Sequence, residues 1–437
     1  MGEFATRPAY WGTGGRRFKS CRPDQFPPHS TQGVALNNRR ALVFIFCTVT
    51  LDVLAVGVML PVLPTLVLSF MGGDTAGAAE VIGVFATVWG MMQFLCSPLM
   101  GALSDRYGRR PVILISCLGL GLDYIFMAVA PSLALLLVGR IISGITSATL
   151  STAFAYITDV TPPDGRAKAF GIVGIAFGLG FIVGPAIGGL LGGLDPRLPF
   201  WVSAAACLAN AAFGWFVLPE SLPPGRRMPF TWKRASPVGS LNLLRSSRQL
   251  LGLATVDFLV SVAHQVLPAV FVLYTGHRYG WDEATVGLTL AFVGICSAIV
   301  QGLLIGPFVT WFGKRRALIG CLLLGGLSMT IYGLAPSGAW FWAGVPLMAL
   351  WGIAGAVTQD LMTQRVSSAE QGQLQGANNS SRSIAGLIGP GIFAAIFAHL
   401  LDTEPGAPFL LAALLLVVAA GVSWVVTASL PTGGQRP

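Results

Sequence analysis

Three ionisable side chains stand singly inside long apolar stretches of the sequence. Asp52, Asp123 and Arg140 each lie in a run of residues apolar enough to cross a bilayer as a helix. At 1.5 Å per residue, counting from one common side of the membrane places them about 17, 18 and 20 Å deep. Two acids and one base at the same level indicate an electrostatically coupled group that can take up and release protons.

Asp52 is the first candidate for the group that carries the proton. A lone carboxylate at that depth costs about 2.5–3.5 kcal/mol or more on insertion, so its presence indicates a function. Burial favours the protonated form of a carboxyl, which suits a group that exchanges protons. Pro61 and Pro64 follow in the same run, so we expect a bend near the outer end of this helix. The alternative, a carboxylate that only hydrogen-bonds to neighbouring helices, stays open.

The composition indicates which elements must hold these charges. Of the 437 residues, 54% are hydrophobic and 10% are charged, and the mean hydropathy is +0.72. A soluble domain carries about 25% charged residues. Since a helix needs about 20 apolar residues to cross a bilayer, twelve runs qualify. They are 41–68, 81–103, 111–131, 133–156, 169–193, 198–218, 250–274, 284–309, 317–335, 340–362, 375–400 and 407–429. The sequence therefore predicts an all-α membrane protein with twelve transmembrane helices, spans one to twelve.

The formal net charge of +9 could suggest a nucleic-acid partner, but the placement of the basic residues favours a lipid bilayer. Of 27 lysines and arginines, only Arg197 and Arg278 fall in the loops that follow odd-numbered spans. Loops rich in Lys and Arg stay on the cytoplasmic side of a membrane. We therefore expect a multi-pass protein of the bacterial inner membrane with both termini in the cytoplasm, and no nucleic-acid partner.

A short charged turn joins spans two and three, and a similar turn lies 205 residues further on, between spans eight and nine. We call these turns the first hinge and the second hinge. The residues that characterise the first hinge are Gly101, Asp105, Arg106, Gly108, Arg109 and Arg110. Such a turn is a basic cap on the cytoplasmic ends of two helices, and its acid and glycines indicate a further role.

Two side chains of the first hinge are expected to make specific contacts. Asp105 could accept hydrogen bonds from the backbone N–H groups at the start of span three. Arg109 is expected to pair with Asp159, at the end of span four, and to hold the cytoplasmic side closed until the pair breaks. In the second hinge Thr310 and Gln364 replace the two acids, so we expect a weaker latch there.

These motifs resemble those of a known family of transporters. The first hinge resembles the loop between spans two and three of the major facilitator superfamily. Span five resembles the motif of its drug/proton antiporters, and the residues concerned are Gly174, Gly178, Gly184, Pro185, Gly188 and Gly189. Glycines allow a neighbouring helix to approach and proline supplies a fixed bend, so a packing face alone is the alternative. The surroundings of Asp52, Asp123 and Arg140 resemble those in the tetracycline/proton antiporters.

The resemblance to the tetracycline/proton antiporters covers nearly all of 40–430 but fails in two places. Those proteins have an essential acid in span nine and a histidine in span eight, and the matching stretches here contain neither. The resemblance also implies export of tetracycline as a chelate with a divalent metal, which favours acids in the second half. This chain keeps Asp257 there and adds the cation Arg382. We therefore expect tetracycline to be exported weakly, with another amphiphilic drug preferred.

The second six spans repeat the first six. At the offset of 205 residues Asp52 maps to Asp257, whereas Asp123 and Arg140 map to uncharged residues, so the proton chemistry is expected mainly in the first half. Two parallel repeats of six spans are what the superfamily resemblance implies. Polar side chains that could line a cavity between the halves are Gln93, Asp257, His264, Gln265, Gln301, Gln359, Asn378, Asn379 and Arg382. Gln93 could instead form an interhelical hydrogen bond. Arg382 could instead lie near the cytoplasmic end of its span and extend toward the membrane surface.

The segments outside the spans are polar and aperiodic. The predicted boundaries are 1–39 for a disordered cytoplasmic tail, 40–218 for the first six-helix bundle, 219–249 for a cytoplasmic linker, 250–430 for the second bundle and 431–437 for a cytoplasmic tail. The first tail differs so much from the rest that a start site placed too early, with translation from Val34, is one interpretation. A genuine regulatory tail is the other.

The motifs and the spans together predict a proton-coupled antiporter that exports a drug by alternating access. A proton-coupled symporter for metabolite uptake is the alternative, which the span-five motif argues against, and a membrane sensor of the same fold would not need three buried charges. The sequence contains no Gly-x-x-x-x-Gly-Lys-Ser/Thr loop, no nucleophile–base arrangement and no metal-binding spacing, so we expect neither an enzyme nor a cofactor. The expected partners are a small-molecule drug, protons and lipid, and the expected state is a monomer.

Overall fold

The computed structural model describes residues 31–146, 149–161, 166–227, 243–366 and 370–428. All regular elements within these ranges are helices. Residues 1–30, the middle of the predicted linker (228–242) and the predicted tail 431–437 lie outside the described residues. The first helix begins at Thr31, earlier than the start at 40 predicted from hydropathy. No proline interrupts 31–40, and each residue added to an existing helix gains one backbone hydrogen bond.

The described helices follow the twelve predicted runs. In the first half they are Thr31–Met59 with Leu63–Phe70 (span one), Thr75–Tyr107 (two), Arg109–Val129 (three), Leu133–Thr146 with Thr149–Val160 (four), Arg166–Gly192 (five) and Leu198–Val217 (six). In the second half they are Arg248–His264 with Val266–Tyr279 (seven), Glu283–Ile299 with the π-helical turn Val300–Leu304 and the part of Ile305–Leu334 before Gly313 (eight), the part of Ile305–Leu334 after Gly313 (nine), Gly338–Thr363 (ten), Gln371–Leu400 (eleven) and Ala407–Val426 (twelve).

The number of membrane crossings agrees with the predicted twelve. Among the described residues, ten helical stretches are long and apolar enough to cross a bilayer. One of them, Glu283–Leu334, holds two crossings, because Gly313 has φ 75° and ψ 154° and reverses the chain there. Span four adds the last crossing and is described over Leu133–Thr146, which is apolar, and Thr149–Val160.

Proline breaks two of the spans. The helix of span one stops at Met59 and resumes at Leu63, as expected from Pro61 and Pro64. Span seven breaks at Gln265, because the ring of Pro268 clashes with the carbonyl group four residues earlier. These breaks bend the two related helices at similar depths, close to their buried acids.

Small residues bring span five against its neighbours on two sides. A Cβ atom on Gly184 would lie 2.9 Å from Cα of Gly57, and one on Gly188 would collide with the backbone of Val58, both in span one. A Cβ atom on Gly189 would lie 3.0 Å from Cα of Gly287 in span eight. By contrast, Cβ atoms on Gly174 and Gly178 would meet nothing within 4 Å. The C-terminal part of the motif therefore packs helices together, and its first two glycines do not.

Among the described residues, the close glycine contacts between the two halves lie toward one side of the membrane. We call the side that carries the hinges the hinge side and the opposite side the far side. Toward the far side, span five meets span eight at Gly189, and span two meets span eleven where a Cβ atom on Gly90 would lie 3.0 Å from the carbonyl oxygen of Gly386. Gly178 lies on the same face of span five as Gly189 but closer to the hinge side. A Cβ atom on Gly178 would meet nothing within 4 Å. A cleft between the halves therefore opens on the hinge side.

Adding one methyl group at Gly188 tests this packing. We expect Gly188→Ala to lower stability by about 1–3 kcal/mol, because the methyl group forces the backbones of spans one and five apart. Gly178→Ala is the matched control in open space and should leave the melting temperature in detergent unchanged. Equal melting temperatures for the two variants would contradict the described contact.

Candidate functional site

The two charges of spans three and four form a buried ion pair. Nη2 of Arg140 lies 3.8 Å from Oδ2 of Asp123, and the Asp123 side chain is fully buried. Gly139 makes room for this carboxylate, since a Cβ atom there would lie 2.9 Å from Oδ1 of Asp123. The predicted proximity of these two residues is therefore present in the fold.

The contacts of Arg140 leave its ion pair loosely held. Nη2 also lies 3.0 Å from the sulfur of Met127, a weak acceptor. Nε of Arg140 is buried and has no acceptor among the described residues. An arginine that made a two-point contact with Asp123 would fix the carboxylate more firmly. A single long contact suits a pair that separates when the carboxyl takes up a proton.

Asp52 belongs to the same electrostatic group. It is buried in span one. The buried Tyr124 lies within electrostatic range of Asp52, Asp123 and Arg140, and the Cys207 thiol is within range of both carboxyls. The three charges predicted at one depth therefore surround a common region of the first half. Their role in proton transfer stays a prediction.

The two charges predicted for the second half form an ion pair with two contacts. Nη2 of Arg382 donates to Oδ1 of Asp257 over 3.0 Å, and Nε donates to Oδ2 over 3.2 Å. The Asp257 side chain is buried, whereas the Arg382 side chain is 48% exposed. Arg382 therefore faces an anion. This contact explains a cation within span eleven without the alternative that its side chain extends to the hinge-side end of the span. Both carboxylate oxygens of Asp257 are occupied.

The other residues predicted for the cavity fall into different environments. Nδ2 of Asn378 donates to Oε1 of Gln359 over 3.0 Å, which joins spans ten and eleven. The ring of His264 is exposed and packs against Trp351 with centroids 5.7 Å apart. Gln265 packs against span eleven at Gly389 and Gly386. Three further residues stand on spans two, eight and eleven, where Gln93 is half-buried and Gln301 and Asn379 are exposed.

In the first hinge, Arg109 binds three side chains of the same half. Its Nη1 atom contacts Oδ1 of Asp105 and Oγ of Ser104, both at 2.6 Å, and Nε donates to Oδ2 of Asp159 over 3.1 Å. The predicted ion pair of Arg109 with Asp159 is therefore present. It joins spans three and four, which belong to one half, and it is intact although the halves are apart on the hinge side. The pair therefore does not itself bridge the halves, and the expectation that it must break to open this side stays a prediction.

The helix start of span three is capped by Glu220 and not, as predicted, by Asp105. Oε1 of Glu220 accepts from the backbone N–H of Arg109 over 2.8 Å, and Oε2 accepts from Arg110 over 3.3 Å. Asp105 cannot reach these groups, because Gly108 alone separates the two helices and Asp105 lies in the last turn of span two. Gly108 has φ 111° and leaves room for the carboxylate.

The second hinge has an ion pair that the comparison of the two internal repeats did not predict. Nζ of Lys314 lies 2.7 Å from Oδ2 of Asp360, and the two side chains are 43% and 48% exposed. Gln364 donates to the same carboxylate over 2.9 Å. The acid is thus supplied one turn earlier in span ten than the repeat places it. An exposed pair contributes about 0–1 kcal/mol, so the expected weakness of this latch agrees with its geometry.

In both hinges an arginine stacks on a tryptophan, a contact that the spacing of residues in the sequence does not predict. Arg110 lies over the ring of Trp215 at 5.8 Å and donates to its carbonyl oxygen over 2.6 Å. Arg315 lies over Trp424 at 4.7 Å and donates to its carbonyl oxygen over 3.3 Å. Each arginine therefore ties a hinge to the last span of its half. Arg106, the remaining cation of the first hinge, lies over Tyr107 at 5.1 Å, and Gly101 has open space around it.

Twelve crossings in two groups of helices, with a cleft between them and buried charges beside it, define a multi-pass membrane transporter. The chain belongs to the Major Facilitator Superfamily, whose sequence profile matches residues 44–390. This agrees with the resemblance seen in its motifs.

Several curated relatives align over most of the chain. The class C tetracycline resistance protein of Escherichia coli is 37% identical over 386 residues, which cover 88% of this chain and 96% of that protein. The class B protein of Escherichia coli is 32% identical and covers 82% and 88% respectively. Multidrug resistance protein 2 of Bacillus subtilis is 25% identical and covers 90% and 96%. These relatives are transporters, so the chain is a transporter and not an enzyme.

Solved structures share the fold. The human organic anion transporter MFSD10 (TETRAN) is 25% identical and matches with a TM-score of 0.66, covering 88% of this chain and 99% of that one. A peptide transporter POT matches with a TM-score of 0.74 and covers 89% and 94%, but at 14% identity it supports the fold alone.

Removing the carboxylate of Glu220 tests the hinge geometry. We expect Glu220→Ala to lower the stability of the protein in detergent by about 0.5–2 kcal/mol, the usual effect of losing a helix cap. Glu220→Gln keeps one acceptor oxygen and should lose less. Asp105→Ala is the control and removes one partly exposed ion pair. A melting temperature of Glu220→Ala equal to that of wild type would show that the cap contributes nothing.

Proposed function

We propose that this protein is a proton-coupled antiporter that exports an amphiphilic drug across the bacterial inner membrane. The observation that carries the proposal is the buried group of Asp52, Asp123 and Arg140 in the first half. Two acids and one base at one depth can hold a proton in one state and release it in another. The relatives that are drug and tetracycline resistance proteins support export as the direction of transport.

The hinge side is the cytoplasmic side in this proposal, because both hinges are rich in arginine and lysine. The two arginines of the opposite side have structural contacts that explain their presence there. Arg197 donates to the carbonyl oxygens of Ala128 and Ala130 over 2.8 and 3.1 Å, and Arg278 donates to that of Ala335 over 3.1 Å. Each cation thus caps the C-terminal end of span three or span nine. Both termini are then cytoplasmic.

The cleft described above is the state that receives the drug from the cytoplasm. Drug binding and rocking of the halves would open the far side, where small residues now hold spans five and eight together. Protonation of Asp52 and Asp123 on that side, with release of Arg140, would return the halves to the described arrangement. The proton gradient supplies the energy, no cofactor takes part, and one chain suffices as a monomer.

The choice between export and uptake depends on span five. The residues from Gly184 to Gly189 hold span five against spans one and eight at the far side, so the described state is closed to the outside. A metabolite symporter passes through such a state as well, so the state alone does not decide the direction. The resemblance of the span-five motif to that of drug/proton antiporters and the relatives that are resistance proteins support export.

The relatives agree on the fold, but they differ in the substrates for which they are named. One group of relatives consists of tetracycline resistance proteins, whereas the human structure is that of an organic anion transporter. In this chain Arg382 donates to both oxygens of Asp257 and balances its charge, so this carboxylate is a weaker ligand for a divalent metal on a tetracycline chelate. The expectation that tetracycline is a weak substrate is thereby strengthened.

Asp52→Asn tests the proposed proton coupling. The amide keeps the shape of the side chain and loses the titrating group, so drug-driven proton release in inverted vesicles should fall by about 10²-fold or more. Exchange of drug across the membrane without a proton gradient should persist, because the fold is kept. Asp402→Asn, which removes an exposed loop carboxylate, is the matched control. Normal drug-driven proton release in Asp52→Asn would overturn the assignment.

A further inference from the structure

The charges well inside the described spans differ sharply in their exposure. The acids Asp52, Asp123 and Asp257 are 7%, 0% and 5% exposed, and Arg140 is 6% exposed. The Arg382 side chain is 48% exposed. A molecule that enters the cleft therefore meets a cation, although acids outnumber bases among these five residues. The accessible charge, and not the total, decides which ligand is attracted.

Arg382 lies on the face of span eleven that packs against span seven. Residues four apart on a helix share a face, and a Cβ atom on Gly386, four residues after Arg382, would lie 3.6 Å from Nε2 of Gln265 in span seven. Asn379, three residues before Arg382, is exposed on the same stripe. The backbone of Gly386 also meets Gly90 of span two, so Arg382 stands about one helical turn toward the hinge side of that contact, and its half-exposed side chain borders the cleft. Gln93, three residues after Gly90, stands on the opposite wall at a similar level.

The ion pair with Asp257 orients the guanidinium and leaves part of it free for a ligand. A guanidinium has five N–H donors in a rigid fork, and Asp257 accepts from Nε and from Nη2. The Nη1 group is not used in this pair. Because two contacts hold the fork, little conformational entropy is lost when a second anion binds its outer edge.

An aromatic surface stands near this cation. His264 follows Asp257 by seven residues on span seven, which places it on the same face about 10 Å further toward the far side. Its exposed ring packs against Trp351. A cation and a flat ring surface at that separation suit a ligand with an acidic group at one end of a multi-ring body.

We propose that Arg382 is a substrate-binding residue, that Asp257 is its positioning residue, and that the exported drugs are aromatic anions bearing a carboxylate or sulfonate. This proposal rests on the proposed function, because it assigns the substrate class of the same transport cleft. The removal of one charged contact to a ligand changes affinity by about 10- to 100-fold.

Two dyes with a common ring frame and opposite charge provide the test. Inverted vesicles with an imposed proton gradient should accumulate the anionic dye carboxyfluorescein and accumulate the cationic dye rhodamine 123 much less. Arg382→Gln should lower kcat/KM for carboxyfluorescein by about 10- to 100-fold, and Arg382→Lys should lower it less. Ser383→Ala, whose hydroxyl group bonds to its own helix, is the matched control and should behave as wild type.

Further variants separate binding from folding. Arg382→Gln leaves the buried Asp257 without its partner and could unfold the protein. The double variant Asp257→Asn/Arg382→Gln removes both charges, so it should keep a normal melting temperature and still lose transport of carboxyfluorescein. Asp257→Asn alone should raise KM for this dye with little change in kcat, because it loses only orientation, and Asp257→Glu should restore KM.

The outcomes distinguish this proposal from the proposed function. Export of rhodamine 123 but not of carboxyfluorescein, in vesicles where drug releases protons, would overturn the anion site and keep the antiporter. Equal transport of carboxyfluorescein by wild type and by a folded Arg382 variant would also overturn the site. Failure of every dye and drug to release protons would overturn both proposals.

Discussion

A charge inside a bilayer must be paired, hydrated or protonated, and this constraint organises both halves of the transporter. In the first half Arg140 makes one 3.8 Å contact with Asp123. In the second half Arg382 makes two shorter contacts with Asp257. The breaking of a buried pair is costly, so a loosely held pair can respond to a proton whereas a firmly held one stays ionised. We therefore propose that the two halves, built from one repeat, provide a proton-coupling group and a ligand-binding group.

Close packing by small residues determines which side of the cleft is open. Among the described residues, most contacts between the halves join span two to span eleven and span five to span eight, and the closest of them lie toward the far side. Lipid supplies no hydrophobic drive for helix association, so contacts of this kind depend on how closely two backbones can approach. The hinges act within their own halves. Arg109, Glu220 and Arg110 tie spans two, three, four and six together, so each half can move as a unit when the cleft changes sides.

The fold could be predicted from the sequence more completely than the site. Long apolar runs report membrane crossing directly, and the repeat of 205 residues gave the two halves and the depth of Asp52 and Asp257. The pairing of Arg109 with Asp159 was also predicted, because both positions were fixed by helix ends. The pairing of Asp257 with Arg382, 125 residues apart, was not, since hydropathy does not report how a span is rotated or which neighbour it meets.

The same limit explains the errors at the hinges. Glu220 lies just past the end of span six, where its carboxylate looks like an ordinary loop charge, and only the folded arrangement brings it to the start of span three. Asp360 replaces the missing acid of the second hinge from a position the repeat does not mark. A helix cap and a surface ion pair depend on distances of a few ångströms, which the periodicity of a sequence does not determine.

The most direct test of the central claim is to measure protons released when the purified transporter binds a drug. The protein in detergent and weak buffer is titrated with the drug against which it gives the strongest resistance, and the pH change is recorded. If the buried group of Asp52, Asp123 and Arg140 couples drug to proton, binding should release protons in a saturable manner, most strongly where the group is protonated at the start. Saturable drug binding without proton release at any value between about pH 5 and 9 would contradict the account.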